Sequence, residues 1–281
     1  MGCGRVRPSP GAGLTHLLAG ELRTLELAAW AGDRGRVEEL PLGPRQYAFL
    51  LVSGLADVSL GGSERYALGP RPTPFDSKPF CLLVSGPGTA MVRAPEAALL
   101  LIGSAPSDAR FPTQLVPPGE VRESARGQDN WSRRVRLVCW SDNTVGGSLM
   151  VGETVTPSGN WCTIPPHRHQ IYRTEHGETA EVPYEEAYYF RFSLPQGFGL
   201  AWQFSDDGEL DQAFSLKTGD VLYMDGGYHP VACGPGADLY QATFMSGPYR
   251  QSTAHVHEDY RHLLARSGGS NPFKNQEKAA R

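Results

Sequence analysis

Apolar residues recur along this chain in short runs with a spacing of two, and the 3.6-residue period of an amphipathic helix is nearly absent. Residues 46–60, QYAFLLVSGLADVSL, read as an apolar strand, a Ser53-Gly54 turn and a second strand carrying Leu55, Val58 and Leu60, which predicts a hairpin. Further strand-like runs at 79–85, 89–94 and 96–102 are separated by Gly and Pro, so residues 1–115 are expected to form one β-sandwich or barrel. Residues 116–133 have the Pro, Gly and charge content of a connector. A second strand series, at 134–140, 147–155, 185–193, 199–204, 212–217, 221–224 and 239–245, predicts another β domain over 134–250. Residues 254–266 are predicted as one short helix. From Gly268 onward the polar tail holds too little apolar content to fold alone, so 251–281 is expected to be that helix followed by a disordered tail.

Composition adds limits to this all-β picture. The 281 residues suffice for two cores, and 33 Gly with 23 Pro supply turns without a repeating period. A net charge of -4 and the lack of a Lys/Arg cluster exclude nucleic acid and an anionic membrane surface as expected partners. No apolar run is long enough to span a bilayer, and no charged-then-apolar signal pattern opens the chain. Cys3, Cys81, Cys139, Cys162 and Cys233 are scattered without a C-x-x-C pair, which argues against a disulfide framework and for a reducing cytoplasm.

The chemistry concentrates in the second strand series. In GNWCTIPPHRHQ, His167 and His169 stand two apart, a spacing that puts both imidazoles on one face of a strand. His229 follows a strand and a Gly-rich turn in KTGDVLYMDGGYHPV, and such a turn can deliver a side chain into a barrel mouth. Imidazole suits zinc, iron, nickel and copper, and a carboxylate would complete a mixed nitrogen and oxygen site. VPYEEAYYFRF offers two carboxylates. Alternation puts Val182, Tyr184, Glu186, Tyr188, Phe190 and Phe192 on one face, and Pro183, Glu185, Ala187, Tyr189, Arg191 and Ser193 on the other. Glu186 is the only charge on an aromatic and apolar face, where a carboxylate is costly unless paired or bound to metal, so Glu186 is assigned inward and Glu185 outward. His255 and His257, in the predicted helix, point apart and are taken as a solvated pair; His16 and His176 stand alone. Cys162 reads as a buried structural thiol.

These residues carry a family likeness. His167, His169, Glu186 and His229 resemble the three-His, one-Glu set of the cupins. The strings RGQDNWSRRV, PSGNWCTIPPHRHQ, EEAYYFRF, PQGF, DDGELDQAF, GDVLYMDGGYHPV and FMSGP are similar to the 5-deoxy-glucuronate isomerase family, related to the 5-keto-4-deoxyuronate isomerases. The likeness is dense from Arg126 to Pro248 and includes the long insert between His169 and Glu186. Two segments depart from it: Ala201 and Trp202 stand where a Gln and an Arg are expected, and Gln241, Ala242 and Thr243 replace Tyr-Leu-Asn.

The resemblance implies a bicupin of two jelly-roll barrels, with the metal in the second only. It implies a cytoplasmic aldose-ketose isomerase of inositol catabolism that converts 5-deoxy-D-glucuronate to 2-deoxy-5-keto-D-gluconate. One divalent ion is expected per chain, zinc first, with manganese, iron or nickel as alternatives. Tyr188 is a candidate proton donor, and Glu185 a candidate base if a bulge turns it inward. Arg191, Arg250 and Trp202 are candidates for binding a small sugar acid, the arginines because a guanidinium matches a carboxylate bidentately. A homo-oligomer is compatible with the sequence. The competing readings are a 5-keto-4-deoxyuronate isomerase, an iron dioxygenase and a non-catalytic sugar-acid-binding cupin.

Overall fold

The computed structural model describes residues 2–8, 11–62, 64–108, 110–140, 144, 147–250 and 253–266. Its centre is a seven-stranded antiparallel sheet in the order Cys3–Val6, Val221–Met224, Glu185–Phe192, Leu239–Ser246, Leu149–Thr156, Arg133–Cys139 and Arg122–Arg126. A four-stranded sheet, Trp161–Cys162, Val231–Cys233, Gly199–Phe204 and Asp211–Leu216, covers one face. Between the two lie Tyr188, Phe190, Phe192, Leu222 and Leu239 from the large sheet and Ala201, Leu216 and Val231 from the small one. This is the expected all-β, cupin-like architecture.

The other face of the seven-stranded sheet is also buried. Ala187, Tyr189, Tyr240, Ala242, Phe244, Val151 and Val155 pack there against Leu25, Leu27, Ala48, Leu50, Val52, Leu83 and Leu101 of the N-terminal half. Contact at this interface is close enough that a Cβ on Gly103 would come within 2.3 Å of the Phe244 ring. The N-terminal half has a further core of its own around Trp30, Phe49, Leu51, Val58, Leu68, Leu82 and Leu100. Adjacent residues of one strand therefore serve different cores, which explains why Tyr47 to Val52 is apolar without interruption.

Three expectations change. Residues 46–60 are not a hairpin but one 16-residue strand, Arg45–Leu60, which pairs with Ala98–Pro106 and Cys81–Ser85 in its first part and with Glu64–Arg71 and Gly88–Arg93 in its last. Gly54, at φ +92°, bends the strand, and a Cβ there would sit 1.8 Å from the Ala97 carbonyl oxygen. The expected connector, 116–133, supplies the edge strand Arg122–Arg126, and Cys3–Val6 crosses from the other half to cover the opposite edge. Finally, 254–266 is not one helix. His255–Val256 pairs antiparallel with His167–Arg168, a 3-10 turn spans Glu258–Tyr260, and only His262–Arg266 is α-helical. The strand pairing overrides the weak helical preference of so short a segment. The tail, 267–281, lies outside the described residues. Among the described residues no helix is long and apolar enough to cross a membrane.

One buried carboxylate joins the halves. Glu153 takes a two-pronged bond from Arg71, Nη1 to Oε1 and Nη2 to Oε2 at 2.8 Å each. It also accepts from Tyr240 Oη at 2.7 Å and from Arg136 Nη1 at 3.2 Å. Arg136 in turn reaches Glu123 at 2.6 Å. Removing the anion leaves the buried Arg71 without a carboxylate and Arg136 with Glu123 alone, so Glu153→Gln is expected to destabilise the chain by about 3–5 kcal/mol, read as a lowered midpoint in urea or guanidinium unfolding.

Candidate metal centre

Strands from distant parts of the chain, a long insert and one glycine turn converge at the mouth of the C-terminal sandwich. Glu186 is placed by the central strand, where it pairs across to Met224 and Met245. His167 opens the two-residue strand held by His255–Val256. His169 follows at once, and the long insert after it returns because Tyr184 N donates to the His169 carbonyl at 3.0 Å. Inside the insert, the buried Glu181 accepts from the amides of Gln170 and Ile171 at 2.8 and 3.3 Å. His229 leaves the turn at Gly226-Gly227, where Gly227 has φ +70° and donates its amide to Gln170 Oε1 at 3.2 Å.

The orientation of the imidazoles follows from their backbone partners. His167 Nδ1 lies 2.9 Å from the Pro165 carbonyl, His169 Nδ1 3.1 Å from that of Tyr184, and His229 Nδ1 3.0 Å from that of Gly227. A carbonyl can only accept, so in all three rings Nδ1 carries a proton and Nε2 is turned toward the cluster, where at His169 it donates to Glu186 and would have to give up that proton to a cation. This is how metal-binding histidines are fixed in tautomer and direction. His169 Nε2 is 2.7 Å and His229 Nε2 3.4 Å from the same Glu186 Oε2, and ligand atoms of the three residues lie within 4.8 Å of one another. His167 packs beside them with its ring centre 4.9 Å from that of His229. His229 Nε2 is buried with no hydrogen-bond partner among the described residues. An orphaned lone pair beside a buried carboxylate is what a divalent cation would satisfy, so the donor set fits one.

The electrostatics agree with a charged pocket. Burial would raise the Glu186 carboxyl, yet His169 and His229 hold it well below the usual carboxylate range. Burial and the neighbouring His229 push His167 well below the usual imidazole value. Tyr188, on the same face as Glu186, is driven well above the ordinary phenol first by burial and then by that carboxylate. Its proton is therefore firmly held. A cavity opens over this group, lined by His167, His169, Glu186, Tyr188, Gln241 and Thr243.

Over residues 18–263 the chain matches the KduI/IolB family. It belongs to that family. It is 32% identical over 217 residues, 77% of each chain, to the 5-deoxy-glucuronate isomerase of Geobacillus kaustophilus. To that of Lacticaseibacillus casei it is 33% identical over 231 residues, 82% of each. A crystal structure of an IolB-like protein from Salmonella typhimurium LT2 superposes with a TM-score of 0.85 at 30% identity, covering 92% of this chain and 98% of that one. Oxalate decarboxylase from Lactobacillus farciminis aligns at TM-score 0.60 and 13% identity over 90% of this chain and 86% of its own, a likeness of fold alone.

In this KduI/IolB member the structure brings together His167, His169, Glu186, His229 and Tyr188, and leaves other candidates outside. Glu185 has no bulge to turn it inward. It faces the N-terminal half and accepts from the amides of Arg23, Thr24 and Leu25 at 3.0, 2.8 and 2.9 Å and from Thr24 Oγ1 at 2.7 Å. Arg191 lies on the same far face, 3.4 Å from Ser53 Oγ. Arg250 donates to the carbonyls of Trp140 and Thr144 and to Thr144 Oγ1. Trp202 stacks on Phe204 and donates to Asp211, lining a separate groove with Trp161 and Tyr260. His255 is no solvated residue. It is buried by its strand pairing, its ring facing Tyr228 and bonded to Arg173. Cys162 is buried as expected, and burial pushes its thiol up to about 12.

The cavity also holds residues that sequence reasoning did not single out for the site, Arg126 and Arg133. Both lie in or beside RGQDNWSRRV, but only the strand pairing of Arg126 with Arg133 shows where that segment sits. Because Glu185 bonds across to the N-terminal half, Glu185→Gln is expected to cost about 1–3 kcal/mol of stability. Zinc uptake after dialysis should match the unsubstituted protein, and unfolding midpoint and metal content measured together check both.

Proposed function

We propose that this protein is a metal-dependent aldose-ketose isomerase that interconverts 5-deoxy-D-glucuronate and 2-deoxy-5-keto-D-gluconate, a step of inositol catabolism. The supporting observation is the convergence of three Nδ1-tied imidazoles on the buried Glu186, in a chain whose curated relatives are named 5-deoxy-glucuronate isomerases. In this reading residues 134–250 form the metal-bearing unit and bind one divalent ion, zinc first, through His167, His169, Glu186 and His229. When bound, the ion supplies a Lewis acid that polarises a carbonyl oxygen and stabilises the negative charge that develops as a proton moves between adjacent carbons.

The chain's own residues bind, orient and hold protons. Glu186 and the three imidazoles fix the centre, and the other acid of the cavity wall, Glu153, is taken up by Arg71 and Arg136. Tyr188 Oη, kept protonated by burial and by Glu186, hydrogen-bonds a substrate oxygen rather than removing a proton. Gln241 and Thr243, facing the same cavity, donate to and accept from hydroxyl groups. Glu185 takes no part in proton transfer, since its oxygens are consumed by Arg23, Thr24 and Leu25.

The test is turnover of 5-deoxy-D-glucuronate by protein whose metal has been quantified. Turnover should vanish on chelation and return with a divalent ion; activity unchanged in metal-free protein would overturn the reading. Loss of an outer partner of a metal ligand costs about 10- to 100-fold in affinity. Glu186→Gln removes a ligand itself and should cost more, with activity falling in step. His255→Ala with His257→Ala should leave metal content unchanged.

A further inference from the structure

Three arginines are buried in the C-terminal half or at its interface, and two of them are neutralised. Arg71 and Arg136 share Glu153, and Arg136 also pairs with Glu123. Arg133, 6% exposed, has no carboxylate partner among the described residues. Its guanidinium donates only to backbone carbonyls, Nη1 to Trp131 at 3.1 Å and Nη2 to Ile164 at 2.9 Å. A guanidinium has five N–H donors, so these bonds fix its plane and leave donors over. Gly127 makes room for it: a Cβ there would stand 2.7 Å from Arg133 Nη1.

An unpaired buried cation is expensive, and its neighbours add to the cost. Arg126, its strand partner, repels it, and burial with that repulsion lowers Arg133 to about 10, against the pull of Cys162. Arg133 lines the same cavity as His167, His169 and Glu186. One cavity is thus lined both by the donor cluster and by Arg133, a buried cation without a carboxylate partner among the described residues.

We propose that Arg133 is the anchor for the carboxylate of a sugar-acid ligand, so that the acid end of the molecule is held at Arg133 while its oxygens at the other end reach the His/Glu cluster. The inference rests on the sugar-acid reading above and deepens it. Burial makes the pair strong, because a charge-assisted bidentate bond replaces no competing water. It also makes Arg133 a selector: an uncharged ligand would leave the cation unpaired.

Calorimetric binding to the zinc-loaded full chain can be compared for 5-deoxy-D-glucuronate and its uncharged counterpart 5-deoxy-D-glucose. Arg133→Gln keeps donors for the Trp131 and Ile164 carbonyls, and Arg133→Lys keeps the charge without the fork. The unsubstituted protein should prefer the acid by about 10- to 100-fold, the size of one bond to a charged group. Arg133→Gln should erase that preference by weakening only the acid, and Arg133→Lys should retain part of it. Metal content should stay constant in both, and kcat should fall less than KM rises. A retained preference in Arg133→Gln, or equal loss for both ligands, would overturn the proposal. If Arg133→Gln does not fold, an acid preference in Arg133→Lys equal to that of the unsubstituted protein overturns it as well. Charge preference present and Arg133-dependent, but without turnover, would sink the isomerase reading and leave the anchor standing.

Discussion

The seven-stranded sheet has no solvent face over its centre, and the rest of the molecule follows from that constraint. One side must satisfy the barrel and its donor cluster, the other the N-terminal half. In Glu185–Phe192 the two demands alternate residue by residue: Glu186, Tyr188 and Phe190 face the barrel, while Glu185, Ala187 and Tyr189 face the interface. Two adjacent carboxylates thereby acquire unrelated tasks. Slipping this strand by one residue would bury Glu185 among the imidazoles and drive aromatic rings into the interface, so the register of one strand fixes the centre and the packing of the halves together.

The polar groups at the interface do a different job from the apolar ones. Apolar contact between Leu50, Leu101, Phe244 and Ala242 tolerates small shifts. The Arg71 fork on Glu153 does not, since each bond has a direction and a length near 2.8 Å. A buried ion pair contributes modestly to net stability but penalises every arrangement in which it is broken. The halves are thus held in one relative placement, with Glu185 bonded to the Arg23-to-Leu25 segment as a second constraint near the centre.

How much of this was legible depends on the range of the information. Alternation within one strand separates Glu186 from Glu185 without any knowledge of partners, and spacing pairs His167 with His169. The strands of the second half are visible for the same local reason. Ser53-Gly54 misleads because a glycine with positive φ serves a turn and a bend equally well, and only the pairing of both ends of Arg45–Leu60 distinguishes them. Arg191, Arg250 and Arg133 are chemically alike, and which guanidinium faces the cavity depends on sheets formed by residues far apart in sequence. His255 looks solvated until the strand opposite it, His167–Arg168, is known. The residues that carry the KduI/IolB likeness draw the eye to His167, His169, Glu186 and His229, but the likeness does not carry the face of each arginine.

The first strand of the chain gives this architecture an order in time. Cys3–Val6 has its partner at Val221–Met224, and Gly2 and Asp225, bonded at 2.7 Å, are separated by 223 positions. A ribosome adding about 5–20 residues per second needs about 10–45 seconds to cover that distance. Throughout that interval the leading segment has no edge to join, while the N-terminal core behind it can already collapse. The central sheet is sealed only when its oldest residues meet some of its youngest.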